Sequence, residues 1–257
     1  MTLAWQTLDP QAWQQWLADG ELVEQDAFGP KVLRCTNGDY IKIFRIKHAL
    51  SLSRCRNPAR RFCRNAETLR SLGIDTLTPL GLYRIPHVER WAVRYAPLAG
   101  ETLRGLLKQA ALPDSVVAGL GRYIAQLHDK GIYFRSLHPG NVVLQPDGSL
   151  GLIDVLDCRF RWFGRPLTAA QRERNFRHFF RYEDGRLIES GVRAAYAAAR
   201  ELIASSASRF AATPSVLPLP SFGMAGTCTY SAGIINARVS DDSIMWRRVS
   251  SSRLAAY

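Results

Sequence analysis

The chain of 257 residues predicts an α+β protein of two lobes, a small β-rich N-terminal lobe followed by a mainly helical C-terminal one. Three observations carry that prediction. Strand-like runs over Glu21–Gln25, Lys31–Cys35 and Tyr40–Arg45 follow one another, the last two joined by Thr36-Asn37-Gly38-Asp39. Asn-Gly between apolar runs is a strong two-residue hairpin signal. From Thr102 onward the apolar spacing turns helical. Between the helices lies Tyr133–Asp154, YFRSLHPGNVVLQPDGSLGLID, which reads as a turn, a strand, a Pro-Asp-Gly hairpin and a second strand ending in an acid.

The other elements follow in order. Residues 4–19 place Trp5, Leu8, Trp13, Trp16 and Leu17 at near-helical spacing and predict an amphipathic opening helix. A helix over 59–72, ARRFCRNAETLRSL, is stopped by Gly73, and strands over Leu77–Arg84 and Arg90–Ala96 complete the lobe at 1–97. Helices are expected over 102–110, over 114–129 behind Pro113-Asp114, over 168–182 and over 188–204, which makes 98–205 the helical lobe. Residues 206–257 are rich in Ser, Ala and Pro without a sustained period and read as a disordered tail.

Composition narrows the classes. No apolar run approaches the roughly 20 residues of a membrane span, and the N-terminus lacks the basic start and apolar centre of a signal peptide. A cytoplasmic protein is expected. Five cysteines without a C-x-x-C pair read as reduced thiols, with no zinc site indicated. The formal net charge of +12 is concentrated in two stretches: residues 45–64 hold seven Lys/Arg and no acid, and residues 158–181 hold seven Arg against Glu173 alone. Such patches suit an anionic partner, such as a glycolipid or a membrane face. Nucleic acid is disfavoured, because no aromatic-interleaved recognition motif accompanies the charge.

The chemistry centres on Asn141 and Asp154, which flank the hairpin at the edges of apolar strands. Kinase-like phosphotransferases need an Asn and an Asp at such spacing, because two hard oxygen ligands converge on Mg²⁺ bridging the ATP phosphates. Lys42 lies at the centre of the third strand, YIKIF, where an ammonium reaches phosphates, and Glu67 in the following helix is expected to pair with it. Gly29 is the single glycine of the turn expected to cover the phosphates, far poorer than a G-x-G-x-x-G loop. In H-R-D-L-x-x-x-N the third residue is the acid that orients the attacking hydroxyl. Here Ser136 stands in its place, Phe134 replaces the leading His, and His138 is a candidate substitute base. Asp157 is either a second acidic contact or a helix cap.

These pieces resemble the lipopolysaccharide kinase (InaA/Kdo-kinase-like) family of the protein-kinase-like superfamily. The matching stretches are YIKIF, NAETLRSLGI, RYAPLAGETL, LHDKGIYFRSLHPGNVVL, LGLIDVLDCRF and RERNFRHFFRYEDG, within residues 20–205. SLHPGN also resembles the D-L-H-P-G-N loop of aminoglycoside and choline phosphotransferases. The resemblance implies a two-lobed kinase fold, ATP with Mg²⁺, and action on lipopolysaccharide core sugars at the inner face of the cytoplasmic membrane. It carries phosphate binding to Lys42, pairing to Glu67 and metal binding to Asn141 and Asp154, whereas the catalytic acid does not carry over to Ser136. A serine hydroxyl has no useful basicity at pH 7, so a pseudokinase that binds nucleotide or glycolipid and regulates a partner is the alternative.

Overall fold

The computed structural model describes residues 3–45, 57–211, 237–240 and 243–246. Strand β1 (Trp5–Thr7) precedes helix α1 (Pro10–Asp19), and β2 (Glu21–Asp26), β3 (Gly29–Arg34) and β4 (Tyr40–Arg45) follow. Helix α2 (Pro58–Ser71) leads to β5 (Asp75–Thr76), β6 (Thr78–Ile85), β7 (Arg90–Ala96) and β8 (Glu101–Thr102). The remaining chain is α3 (Leu103–Gln109), α4 (Asp114–Asp129), β9 (Ile132–Phe134), β10 (Val142–Leu144), β11 (Leu150–Leu152), β12 (Cys158–Phe160), α5 (Ala169–Phe179), α6 (Glu183–Arg186) and α7 (Glu189–Ala211). The protein is thus mixed α+β, β-rich in its N-terminal region and helical in its C-terminal half.

A six-stranded sheet in the order β1-β6-β7-β4-β3-β2 forms the N-terminal region, antiparallel except where β1 runs parallel to β6. The expected opening helix is divided. Asp9 caps α1 by accepting from the Ala12 amide at 2.8 Å, and Pro10 occupies its first position, so the helix begins there and Trp5 joins the sheet instead.

Alternation along β4 sorts its side chains onto two faces. Ile41 and Ile43 pack with Leu8, Trp13, Leu33, Ile85 and Ala92 beneath α1. Phe44, joined by Trp91 and Val93 of β7, faces the larger core. That core runs through Phe62, Ala66 and Leu69 of α2 to Leu120, Ile124 and Leu127 of α4 and Phe176 and Phe179 of α5. Each fully buried side chain of this size contributes about 1.5–3 kcal/mol, so α2 is held mainly by its apolar stripe.

A second sheet, β5-β11-β10-β8, holds the anticipated hairpin, its turn fixed by the Ser149 amide donating to Asp147 Oδ1 at 2.9 Å and by Gly148 at φ 83°. Helices α4 and α7 cross closely: a Cβ at Gly121 would lie 2.6 Å from the Val192 carbonyl oxygen. The anticipated helix 168–182 ends at Phe179, and the anticipated 188–204 helix continues to Ala211. Residues 213–257 form a separate unit in which Ala237–Ser240 (β13) pairs antiparallel with Ser243–Trp246 (β14); the rest of the expected tail lies outside the described residues. Among the described residues no helix is long and apolar enough to cross a membrane.

Candidate functional site

Strand β9 delivers the chain to the site, and the loop after it is built from short-range hydrogen bonds. The Leu137 amide donates to the Phe134 carbonyl at 3.1 Å and the Asn141 amide to the His138 carbonyl at 2.9 Å, closing a single turn over Pro139–Asn141. Asn141 is buried, and its Nδ2 donates back to the Ser136 carbonyl at 3.0 Å. That bond uses one of the two Nδ2 hydrogens. Asn141 Oδ1 accepts no hydrogen bond among the described residues, so it remains available as a ligand. The Ile153 amide donates to the Asn141 carbonyl at 3.0 Å and ties the start of the hairpin to its end.

Asp154 follows at φ 51°, ψ 47°, a left-handed conformation that Asp tolerates better than most residues. Its carboxylate meets Lys42, with Nζ 2.9 Å from Oδ1. Lys42 sits opposite Val93 in β7 and Val32 in β3, at the middle of the sheet. Both residues line a cavity of about 590 Å³ together with Gly29, Ser136, His138, Asn141 and Asp157. Every site residue expected from the sequence therefore faces one cavity, except Glu67.

Glu67 is exposed on α2 and makes no ion pair among the described residues. The α2 side chain that faces the turn behind Asp154 is Asn65, two positions earlier and about 200° around a helix of 3.6 residues per turn. Asn65 is 3% exposed, and its Nδ2 reaches the carbonyls of Val155 at 2.8 Å, Leu156 at 3.0 Å and Cys158 at 3.2 Å. Two hydrogens serve three acceptors, so one bond is shared. The sequence holds a signal for this residue: Asn65 stands three after Phe62 and four before Leu69, on the apolar stripe.

The turn over the cavity is not a phosphate cradle. Glu24 and Lys31 pair across the β2–β3 hairpin at 2.7 Å, and the Phe28 amide donates to Asp26 Oδ1 at 2.8 Å. Gly29 adopts φ 112°, which a side chain at that position would resist. Phe28 is held over the cavity by Arg45, whose guanidinium carbon lies 3.7 Å from the ring centroid. Arg90 Nη2 adds a bond to the Phe28 carbonyl at 3.2 Å.

His138 is spoken for as well. Burial, followed by the nearby Arg104 and His178, pulls it down to about 4, so it is neutral at pH 7. Its Nδ1 accepts from the Gly140 amide at 3.0 Å, which leaves the ring proton on Nε2. A ring in that tautomer donates from Nε2 and offers no free lone pair to the cavity. His138 organises the loop; it is not built as a base.

A buried network supports the loop from below. Asn175 Nδ2 donates to the Phe134 carbonyl at 2.7 Å, and its Oδ1 is 3.0 Å from His128 Nε2. Asn175 Oδ1 can only accept, so His128 donates from Nε2 and accepts at Nδ1 from the Tyr196 hydroxyl at 2.9 Å. His178 donates from Nδ1 to the Leu137 carbonyl at 3.1 Å. Asn175 and His128 were not singled out by sequence reasoning, although Asn175 stands four before Phe179 and His128 four after Ile124, each on the apolar stripe of its helix.

Among the described residues no cluster of three or more His, Cys, Asp or Glu is assembled for a metal. Asn141 Oδ1 and the Asp154 carboxylate nonetheless present two hard oxygens to one cavity. Mg²⁺ is commonly held by one or two protein oxygens and completed by phosphate and water, so this donor set fits it in that setting. The chain matches no protein-family model and no curated protein.

Proposed function

We propose that the chain is a kinase-like, ATP-dependent phosphotransferase that acts on a hydroxyl of an anionic glycolipid, of the class represented by lipopolysaccharide core sugars, from the cytoplasmic face of the membrane. The observation that carries this reading is the convergence of Lys42, Asn141 and Asp154 on one cavity, with Lys42 Nζ 2.9 Å from Asp154 Oδ1. An ammonium beside two hard oxygens is what phosphate with a divalent cation requires. Bound ATP and Mg²⁺ would supply the transferable phosphoryl group and the charge that offsets it.

The chain's own contribution is positional. Lys42 holds phosphate oxygens, Asn141 Oδ1 and Asp154 hold the metal, and the Ser136 loop receives the acceptor hydroxyl. Ser136 itself supplies no carboxylate at the acid's position, a loss of roughly 10²–10⁴-fold where a positioned base is used. Transfer that relies mainly on positioning and charge stabilisation survives such a loss at reduced rate. The acceptor class rests on the family resemblance and on the basic surface.

A second reading, a pseudokinase that binds nucleotide without transferring phosphate, is favoured by His138. With its Nδ1 engaged by Gly140, neither His138 nor Ser136 presents a base. Phosphate incorporation into purified lipopolysaccharide core, wild type beside Asp154→Asn, separates the two. Transfer by the wild type that the variant loses supports the enzyme. Mg·ATP binding without transfer supports the pseudokinase, and absence of both overturns the nucleotide reading.

A further inference from the structure

The two basic stretches of the sequence meet in space. Arg60, Arg61 and Arg64 of α2, from the first stretch, line one groove of about 940 Å³ with Arg159 of β12, from the second. Glu67 is the single acid in its lining, and none of the four guanidiniums forms an ion pair among the described residues. The sequence 46–56, which leads into α2, contains no acid either.

The arrangement is electrostatically unfavourable as it stands. Asn57 caps α2 by accepting from the Arg60 amide at 3.1 Å, so Arg60 and Arg61 lie in the opening turn, with no acid in that turn. The N-terminal end of a helix carries partial positive charge, and cations placed there are repelled. Four arginines against one carboxylate add to that field. Arg60 is also stationed by packing, its guanidinium carbon 5.5 Å from the centroid of the Trp5 ring.

We infer that this groove is an anion-binding site, separate from the Lys42–Asp154 cavity, for a ligand bearing two or more phosphate groups. Guanidinium forks match phosphate oxygens two at a time, and the volume exceeds what a single phosphate fills. A charge excess of this size favours a polyanion over a single carboxylate. The groove also touches Asn65 and Cys158, so a ligand there contacts the same helix that holds the turn behind Asp154. The inference does not depend on the nucleotide reading. The shared chemistry fits a free polyphosphate or a phosphorylated lipid headgroup.

The test uses the full chain and inorganic pyrophosphate, read by calorimetry and thermal unfolding, beside sodium sulfate at equal ionic strength. Pyrophosphate should raise the unfolding midpoint more than sulfate does. The variant Arg60→Ser/Arg64→Ser/Arg159→Ser, altered only at exposed positions, should bind it at least ten-fold more weakly. Lys42→Met serves as the background for these measurements, so that pyrophosphate held by the other cavity does not contribute and the groove alone should still bind it. Arg64→Lys keeps the charge without the fork and should fall between wild type and the triple variant. A triple variant that binds like its parent, no binding in the Lys42→Met background, or equal shifts with sulfate would each overturn the proposal. Vesicles of phosphatidylcholine with phosphatidylinositol bisphosphate, against phosphatidylserine at matched surface charge, identify the source. Retention on phosphatidylinositol bisphosphate that the triple variant loses indicates a lipid headgroup, and pyrophosphate binding without vesicle retention indicates a free polyphosphate.

Discussion

Lys42 Nζ lies 2.9 Å from Asp154 Oδ1, which joins the middle of the six-stranded sheet to the turn that ends the β10–β11 hairpin. Lys42 is largely buried, but the Asp154 side chain is 45% exposed. A pair this open to solvent contributes at most about 1 kcal/mol to folding. Its substitution should therefore change ligand binding far more than stability.

Asp154→Asn is the clean form of that experiment, because Asn also tolerates the left-handed backbone at φ 51°. The variant should unfold within a few degrees of the wild type. Mg²⁺ with ATP should raise the wild-type midpoint by mass action and leave the variant unmoved. An unchanged Mg·ATP shift in Asp154→Asn would remove Asp154 from the metal site.

Lys42→Met and Glu67→Gln should differ sharply. Lys42 faces the cavity and Glu67 lies outside it. Titration with Mg·ATP is expected to show affinity reduced ten-fold or more by Lys42→Met and within two-fold of wild type for Glu67→Gln. Equal losses would restore the Lys42–Glu67 pairing expected from the sequence.

Ser136→Asp places a carboxylate where the kinase pattern has one. Turnover should rise by up to roughly 10²–10⁴-fold if only the base is missing. Steady-state phosphate transfer measures it. Tighter substrate requirements without faster transfer, or weaker nucleotide binding alone, would favour the pseudokinase reading.

Acid should destabilise the protein through His128. Burial holds this ring down at about 4, against an ordinary 6.5. The unfolded chain takes up a proton near pH 6.5 that the native protein refuses until about pH 4. The contribution is complete above pH 6.5 and is lost as pH falls towards 4, on the order of 3 kcal/mol across the window. His138, held down in the same direction, steepens the slope. Urea unfolding at several pH values checks it, and His128→Gln, which cannot titrate, should be less stable at pH 7 and flatter below it.

Asn65→Leu should cost about 1–3 kcal/mol, because it strips the donor from three carbonyls behind Asp154. Denaturant unfolding reads that loss. A variant as stable as wild type would mean that water satisfies those carbonyls equally well.

Local patterns were legible where one short stretch determines the outcome. The Asn37-Gly38 and Asp147-Gly148 turns, the α2 stripe and the convergence of Asn141 with Asp154 all arise from residues close in sequence. Pairings that depend on rotation about a helix were not legible. Glu67 and Asn65 are both polar, and only the position of Phe62 and Leu69 on the stripe tells which one turns inward. The division of the first helix was also written locally, in Asp9-Pro10, but the aromatic spacing across Trp5 and Trp13 masked it. Arg54 and Arg56 of the first basic stretch lie outside the described residues, so the groove rests on its other arginines.

The carbonyls gripped by Asn65 lie 90 to 93 positions downstream of it. During synthesis, then, α2 emerges long before its partners exist, with an unsatisfied amide in the middle of its apolar face. Closing so long a loop makes the folding of this region slow and dependent on distant chain. Residues 1–97 expressed alone should be poorly soluble, and mixing them with 98–257 should recover structure only as a complementing pair.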